Sequence, residues 1–464
     1  MELAGKQIVV VGLGVSGIAV ARFAKNRGAS VIVTDVADEK ALAPFIPMAH
    51  KLNLIMELGK HQTSTFVNAD LIVISPGVPH DILPIQRAKE KKIPIVGELE
   101  LASTYIQEPI IAITGTNGKT TTTKLLGEML EKSGLKIFVG GNIGNPLLEY
   151  VEKNEPASIV VAEVSSFQLD TIDTFKPNVG VLLNISSDHL DRYPNFEAYV
   201  RSKVRIFENQ KEDDVAVINR SDPLIRSIGK DLKARKIPFY YQNDDYRKKE
   251  GCAVINWSAA KDHRHIMIHT NNSHNMCIDV SKINLPGRHN MENAAAASLA
   301  ALAVGGTFEG VQSTLNEFKG LSHRLEFVDK INQIRFYDDS KGTNIDAVAR
   351  ALETFVQPVV LIMGGRDKGG TFEELKKHVS RHVKKLIVMG EAKEEIISIL
   401  GNVAKEGART ASSMEEAVFF AYQAAVPGEV VLLSPACSSF DMYSSYAERG
   451  NDFCQSVKKL KKRV

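Results

Sequence analysis

The sequence predicts an α/β protein built as three consecutive domains. Its 464 residues exceed what a single hydrophobic core holds. Apolar runs of four to six residues alternate with helical stretches, the pattern of parallel sheets covered on both faces. Two glycine-bearing turns, at 12–17 and 115–118, each follow such a run and open a helix.

The first domain, 1–97, opens with the strand "IVVVG" (8–12), a glycine turn, a helix and the strand "VIVTD" (31–35). "LIVISPG" (71–77) and "IPIV" (93–96) continue the alternation. The second, 98–320, carries strand, loop and helix at 110–130, then "KIFVGGNIG" (136–144), "ASIVVAEVSS" (157–166) and "NVGVLLNISSDHLDR" (178–192). A weakly alternating polar stretch, 240–282, is expected to form hairpins at the sheet edge. "HNMENAAAASLAALAV" (289–304) reads as an alanine-rich helix. "GTFEGVQSTLNEFKG" (306–320) leads into the third domain, 321–464, with strands "VVLIMGG" (359–365), "KLIVMG" (385–390) and "EVVLLSPA" (429–436).

Composition excludes several classes. With 44% apolar and 24% charged residues and a net charge of +2, nothing favours nucleic acid or an acidic membrane as partner. Cys252, Cys277, Cys437 and Cys454 lack metal or redox spacing, which suits a reducing compartment. No signal peptide and no apolar run of about 18 residues is present, so a soluble, cytoplasmic protein is expected.

Gly12, Gly14 and Gly17 form a G-x-G-x-x-G pattern between strand and helix. The first glycine allows the tight turn, the second lets phosphate approach the backbone, and the third lets helix and strand pack closely. Asp35 ends the next strand, where a carboxylate can accept from ribose hydroxyls. The pattern reports a diphosphate on a helix N-terminus. It leaves open a nicotinamide or flavin dinucleotide, another nucleotide diphosphate, or a purely structural turn.

"TGTNGKTTT" (114–122) holds the second turn. Gly115, Asn117 and Gly118 let backbone N–H groups face phosphate oxygens, together with Thr116. Lys119 adds charge at the β- and γ-phosphates, and Thr120 or Thr121 offers a hydroxyl to Mg²⁺. The first glycine of the usual phosphate-loop pattern is replaced by Ile113. Glu163, in "AEVSSFQL" (162–169), ends a buried strand close to this loop and is suited to Mg²⁺.

These residues resemble the ATP loop of the Mur ligases and the related folylpolyglutamate synthases. Such enzymes use ATP to activate a carboxylate and couple it to an amine. The resemblance covers the whole chain and implies a Rossmann-like N-terminal UDP-binding domain, a central P-loop ATPase-type domain and a C-terminal Rossmann-like domain. Folylpolyglutamate synthases lack the first of these.

The resemblance also implies roles. His189 in "NISSDHLDR" matches a metal ligand, against the plainer reading of a hydrogen-bonding or capping histidine. Lys203 in "YVRSKVRIF" matches a carbamylated lysine that binds Mg²⁺; without the match it reads as part of a solvated basic helix face with Arg201 and Arg205. His289, Asn290 and Asn293 in "LPGRHNMENAAAA" match the adenine region, with helix capping the alternative for Asn290. Arg324 in "LSHRLEFV" and Asp339, Ser340, Lys341, Thr343 and Asn344 in "YDDSKGTNIDA" lie on the third domain. Lys341 and Arg324 are of the type needed to neutralise a carboxylate and a γ-phosphate that must meet, which implies domain closure.

"DDSKGTN" and "LSPACSSFDMYSSYAERG" (433–450) resemble the branch of the family that adds D-glutamate to UDP-N-acetylmuramoyl-L-alanine. In that branch the first domain takes the UDP substrate, with Gly14, Val15, Ser16, Asp35, Gly77 and Asn142 at matching positions; Val36 stands where relatives can have a hydroxyl residue. Thr343, Lys368, Ser439, Phe440 and Tyr446 match D-glutamate contacts, although Lys368 beside Arg366 also reads as an exposed basic loop. ATP and two Mg²⁺ sites are implied, in a monomer. Two readings of other classes are a nicotinamide-dependent oxidoreductase, which leaves the second turn unexplained, and a P-loop switch NTPase.

Overall fold

The computed structural model describes residues 1–153, 155–190, 192–242, 251–256, 264–269, 275–280, 283 and 287–464. Three sheets follow one another along the chain, of five, nine and six strands.

In the first sheet the strands Ile55–Leu58, Ser30–Asp35, Gln7–Val11, Leu71–Ile74 and Ile95–Gly97 lie side by side in that order, all parallel. Val9, Val10 and Val11 are buried because helices cover both faces. The order reverses direction at Gln7–Val11. The crevice outside the carboxyl ends of the strands therefore opens beside the 12–17 turn.

The second sheet centres on Ile110–Thr114, flanked by Val179–Leu182 and Ile159–Glu163. All five residues of the central strand are buried. This placement brings the 115–118 turn, Glu163 and Asn184 to one end of the sheet. Helices Lys119–Lys132, Arg288–Ala303 and Phe308–Glu317 pack together on one face. Ala294, Ala295, Ala296, Ala297, Ala300 and Ala301 of Arg288–Ala303 are buried, since small side chains let that helix lie close to the helix Lys119–Lys132. At the edge, Cys252–Asn256, His265–His269 and Met276–Asp279 pair antiparallel, the hairpins expected for 240–282; their turns lie outside the described residues.

The third sheet runs Glu326–Ile331, Ile334–Asp338, Val430–Leu433, Val359–Gly364, Val383–Met389, Ala408–Thr410. It is parallel except for its first two strands, a hairpin whose turn residues Asn332 and Gln333 have φ of +46° and +65°. Left-handed values at both positions match the twist of the strands.

The seams between units differ in chemistry. One continuous apolar cluster joins the first unit (Leu3, Phe23, Val73) to the middle one (Leu99, Leu147, Val160), and Arg22 and Asn26 bond Glu152 at 2.7 and 2.8 Å. Among the described residues no such buried cluster bridges the middle and third units; Leu321 packs against the middle unit's cluster, and hydrogen bonds such as Arg324 Nη2 to Thr120 Oγ1 and Asn117 Nδ2 to Asp346 Oδ2, each 2.8 Å, cross the seam. No described helix is long and apolar enough to cross a membrane.

Candidate active site

Gly118 has φ +87°, and a Cβ there would lie 2.2 Å from Asn293 Oδ1. Only glycine meets both demands, so the turn can pack against the helix Arg288–Ala303. The loop is fastened to the segment after the neighbouring strand. Thr116 N donates to Asn184 O (3.0 Å), Asn117 N to Asn184 Oδ1 (2.8 Å), and Asn184 Nδ2 to Asn117 O (3.0 Å). Thr116 Oγ1 accepts from Ser186 N at 3.0 Å.

Lysines roof this loop. Lys119 Nζ donates to Gly115 O and Thr116 O at 2.8 and 2.9 Å, and Lys203 Nζ to Gly115 O at 2.9 Å. Lys203 is 1% exposed, which corrects the reading of a solvated basic face. Burial, then the charge of Lys119, pushes its pKa well down. Burial also lowers Lys119. Lys341 falls to about 8, through burial and the nearby Arg324. Basic side chains gathered this closely are suited to a polyanion.

The third unit reaches across. Arg324 donates to Thr120 Oγ1 at 2.8 Å, and Lys368 stands 3.8 Å from Asp188. Between the two units lies a cleft lined among others by Asn117, Gly118, Thr121, His289, Asn290, Asn293, Arg324, Asp339 and Lys341. Its lining of amides, hydroxyls and cations suits a nucleotide. Asn293 Nδ2 donates to Asn290 Oδ1 at 3.1 Å, so the two amides are fixed together rather than capping the helix. Asp339 is buried and its pKa rises to about 7.

Glu163, 2% exposed, keeps Oε1 on Asn142 Nδ2 (2.9 Å) and leaves Oε2 without a partner among the described residues. A buried carboxylate oxygen left unsatisfied beside a phosphate loop fits a divalent cation. His189 has φ +57°, and burial lowers its pKa, so a neutral ring is available as a ligand. Although burial opposes its charge, Asp188 is held below the usual carboxylate range by Lys368 and His189.

In the first unit, a Cβ on Gly17 would sit 1.9 Å from Gly12 O, whereas Gly14 and Gly77 face open space. Val15 and Ser16 open the helix Val15–Asn26. Asp35 accepts from Leu13 N (2.8 Å) and Ala37 N (2.9 Å), so its carboxylate shapes the turn itself.

Family models match nearly end to end: "Mur ligase MurD-like, N-terminal domain" over 6–97, "Mur ligase middle domain" over 113–301 and "Mur ligase, glutamate ligase domain" over 323–437. A relative from Desulfosudis oleivorans, UDP-N-acetylmuramoylalanine--D-glutamate ligase, is 51% identical over 99% of this chain and 98% of its own length. The chain belongs to the Mur ligase family. Relatives of the same name from Desulfatibacillum aliphaticivorans and Thermoanaerobacter pseudethanolicus are 49% and 43% identical, covering 99% and 100% of this chain and all of their own length. In fold, it is similar to the MurF ligase of Thermotoga maritima in complex with ADP (TM-score 0.63, 18% identity, all of both chains). It also resembles the MurC ligase of that organism (TM-score 0.60, 21% identity, 98% of this chain and 100% of the other).

In this Mur ligase the residues expected around ATP converge on one place, and those expected for D-glutamate do so in part. Thr343 and Lys368, 3.2 Å apart, line a small cavity with Asp188. Ser439, Phe440 and Tyr446 are not part of that lining: Ser439 is buried, Phe440 is 66% exposed, and the Tyr446 ring lies 3.7 Å below Lys341 Nζ. Sequence reasoning passed over Asn184, Asp188, Asp346 and Arg350. The first two stand in the quoted "NISSDH", where two more polar side chains at a strand end were a usable signal. Asp346 and Arg350 carried none, because a charged i, i+4 pair on a helix reads as ordinary surface.

Proposed function

We propose that this Mur ligase joins D-glutamate to UDP-N-acetylmuramoyl-L-alanine, converting ATP to ADP and phosphate, as a cytoplasmic monomer in peptidoglycan precursor synthesis. The observation that carries the reading is 51% identity, over both full lengths, to a D-glutamate ligase. The cationic site between two units supports it. Unit borders at 97/98 and 320/321 suit the three sheets.

The L-alanyl carboxylate oxygen attacks the γ-phosphorus, and the bond from that phosphorus to the β,γ-bridging oxygen breaks, giving an acyl phosphate and ADP. Lys119, Arg324 and Lys341 neutralise the two anions that must meet. Gly115–Thr121 hold the phosphates, while Asn290, Asn293 and Asp339 hold the nucleoside. Thr120, Glu163, His189 and a carbamylated Lys203 would hold Mg²⁺ at two sites, and the ions would supply positive charge to phosphate oxygens. Burial, then the charge of Lys119, lowers the Lys203 pKa and so favours the neutral amine, the form that captures CO₂. The amine of D-glutamate then attacks the acyl carbonyl, phosphate leaves, and one proton is released. Thr343 and Lys368, with Ser439, Phe440 and Tyr446, receive D-glutamate. Gly14, Val15, Ser16, Asp35, Gly77 and Asn142 receive the UDP substrate. A closed polar seam excludes water that would hydrolyse the acyl phosphate.

Phosphate release by the purified chain across a panel of D- and L-amino acids tests this. Release is expected only with the muramoyl nucleotide and D-glutamate together. Equal release with ATP alone, or a preference for another amino acid, overturns it.

A further inference from the structure

We propose that Asp346 is a positioning residue that links closure of the third unit to the phosphate loop through the side chain of Asn117. The carboxylate sits in the first turn of the helix Ile345–Leu352, where the helix N-terminus favours negative charge. Its Oδ2 accepts three hydrogen bonds. Asn117 Nδ2 (2.8 Å) and Ser186 Oγ (3.1 Å) come from the middle unit, and Arg350 Nε (2.8 Å) from one turn along its own helix. Arg350 continues across the seam to Glu292 Oε2 at 3.3 Å. Asn344 exchanges amides with Asn117, donating to its Oδ1 at 3.2 Å and accepting from its Nδ2 at 3.4 Å.

Asn117 thus has divided allegiance. Its backbone is held by Asn184 of the middle unit, and its side-chain hydrogen bonds go to Asn344 and Asp346 of the third. Separating the units removes those side-chain partners together, so the loop's amide is fixed only when the third unit is docked. Asn117 and Arg350 also line the nucleotide cleft. A nucleotide in that cleft and the docked third unit therefore favour each other, and the effect is reciprocal.

The test uses the full chain and two kinds of readout. Small-angle scattering with and without ADP does not depend on the ligase reading, whereas the kinetic arm rests on it. The parent is expected to contract on adding ADP, and Asp346→Ala to remain at the ligand-free radius. ADP and ATP should bind about tenfold more weakly, KM for D-glutamate should rise, and affinity for the UDP substrate measured without ATP should stay within about twofold. Asp346→Asn, which keeps the shape and loses the charge, should fall between the two. Arg350→Lys should retain more contraction than Arg350→Gln. The inference is overturned if the parent does not contract, if Asp346→Ala contracts as the parent does, or if its UDP-substrate affinity falls in parallel. Failure of the parent to use D-glutamate would instead sink the proposed function and leave the scattering comparison intact.

Discussion

The turn at 12–17 and the turn at 115–118 both follow a buried strand and both open a helix, yet their surroundings differ. The first is shaped by a carboxylate, Asp35, bonded to the backbone of the turn, and Gly14 faces open space. The second is roofed by Lys119 and Lys203 and receives Arg324 from another unit. Glycines and a helix N-terminus suffice to grip a diphosphate. Moving a phosphoryl group also requires cations placed where charge shifts, and Arg324 reaches the second turn from another unit.

The comparison breaks most clearly at Lys119. Lys119→Ala should lower D-glutamate-dependent phosphate release about 10³-fold while leaving UDP-substrate affinity near the parent value; an equal loss of both would erase the distinction between the turns. Arg324→Ala should lower kcat about 10²-fold, measured at saturating ATP, with only partial recovery in Arg324→Lys because a lysine lacks the guanidinium fork. In the first turn the expected damage is to folding. Gly17→Ala forces a Cβ to within 1.9 Å of Gly12 O, and thermal unfolding should show a loss of about 1–3 kcal/mol.

The smallest effect is in pH. Lys341 is pushed down to about 8 in the free protein. Below that value it is already charged and can meet phosphate; above it, binding must first take up a proton. The ATP dissociation constant should therefore rise by up to about tenfold from pH 7 to pH 9. Lys341→Arg should flatten the profile in isothermal titration, and an unchanged slope would remove Lys341 from the phosphate site.

Much of this was legible. The buried strands Gln7–Val11, Ile110–Thr114 and Val359–Gly364 announced themselves as short apolar runs, and both glycine turns stood between a strand and a helix. Glu163 could be placed because it ends such a run. The hairpin Glu326–Ile331/Ile334–Asp338 was not foreseen, since its turn is Asn332–Gln333 rather than a pair with glycine. Lys203 could not be told from its exposed neighbour Arg201, because burial of one lysine on a basic helix depends on what packs against it. The partners of Asn117 were likewise invisible: Asn344 and Asp346 lie more than two hundred residues away in sequence.

The two seams differ in what parting them would expose. Parting the first and middle units would wet Leu99, Leu147 and Phe23, which water does not tolerate well. Parting the middle and third units strips amides, hydroxyls and charges that water solvates readily. Of the two partings, a swing of the third unit away from the other two is therefore the one this chemistry makes less costly.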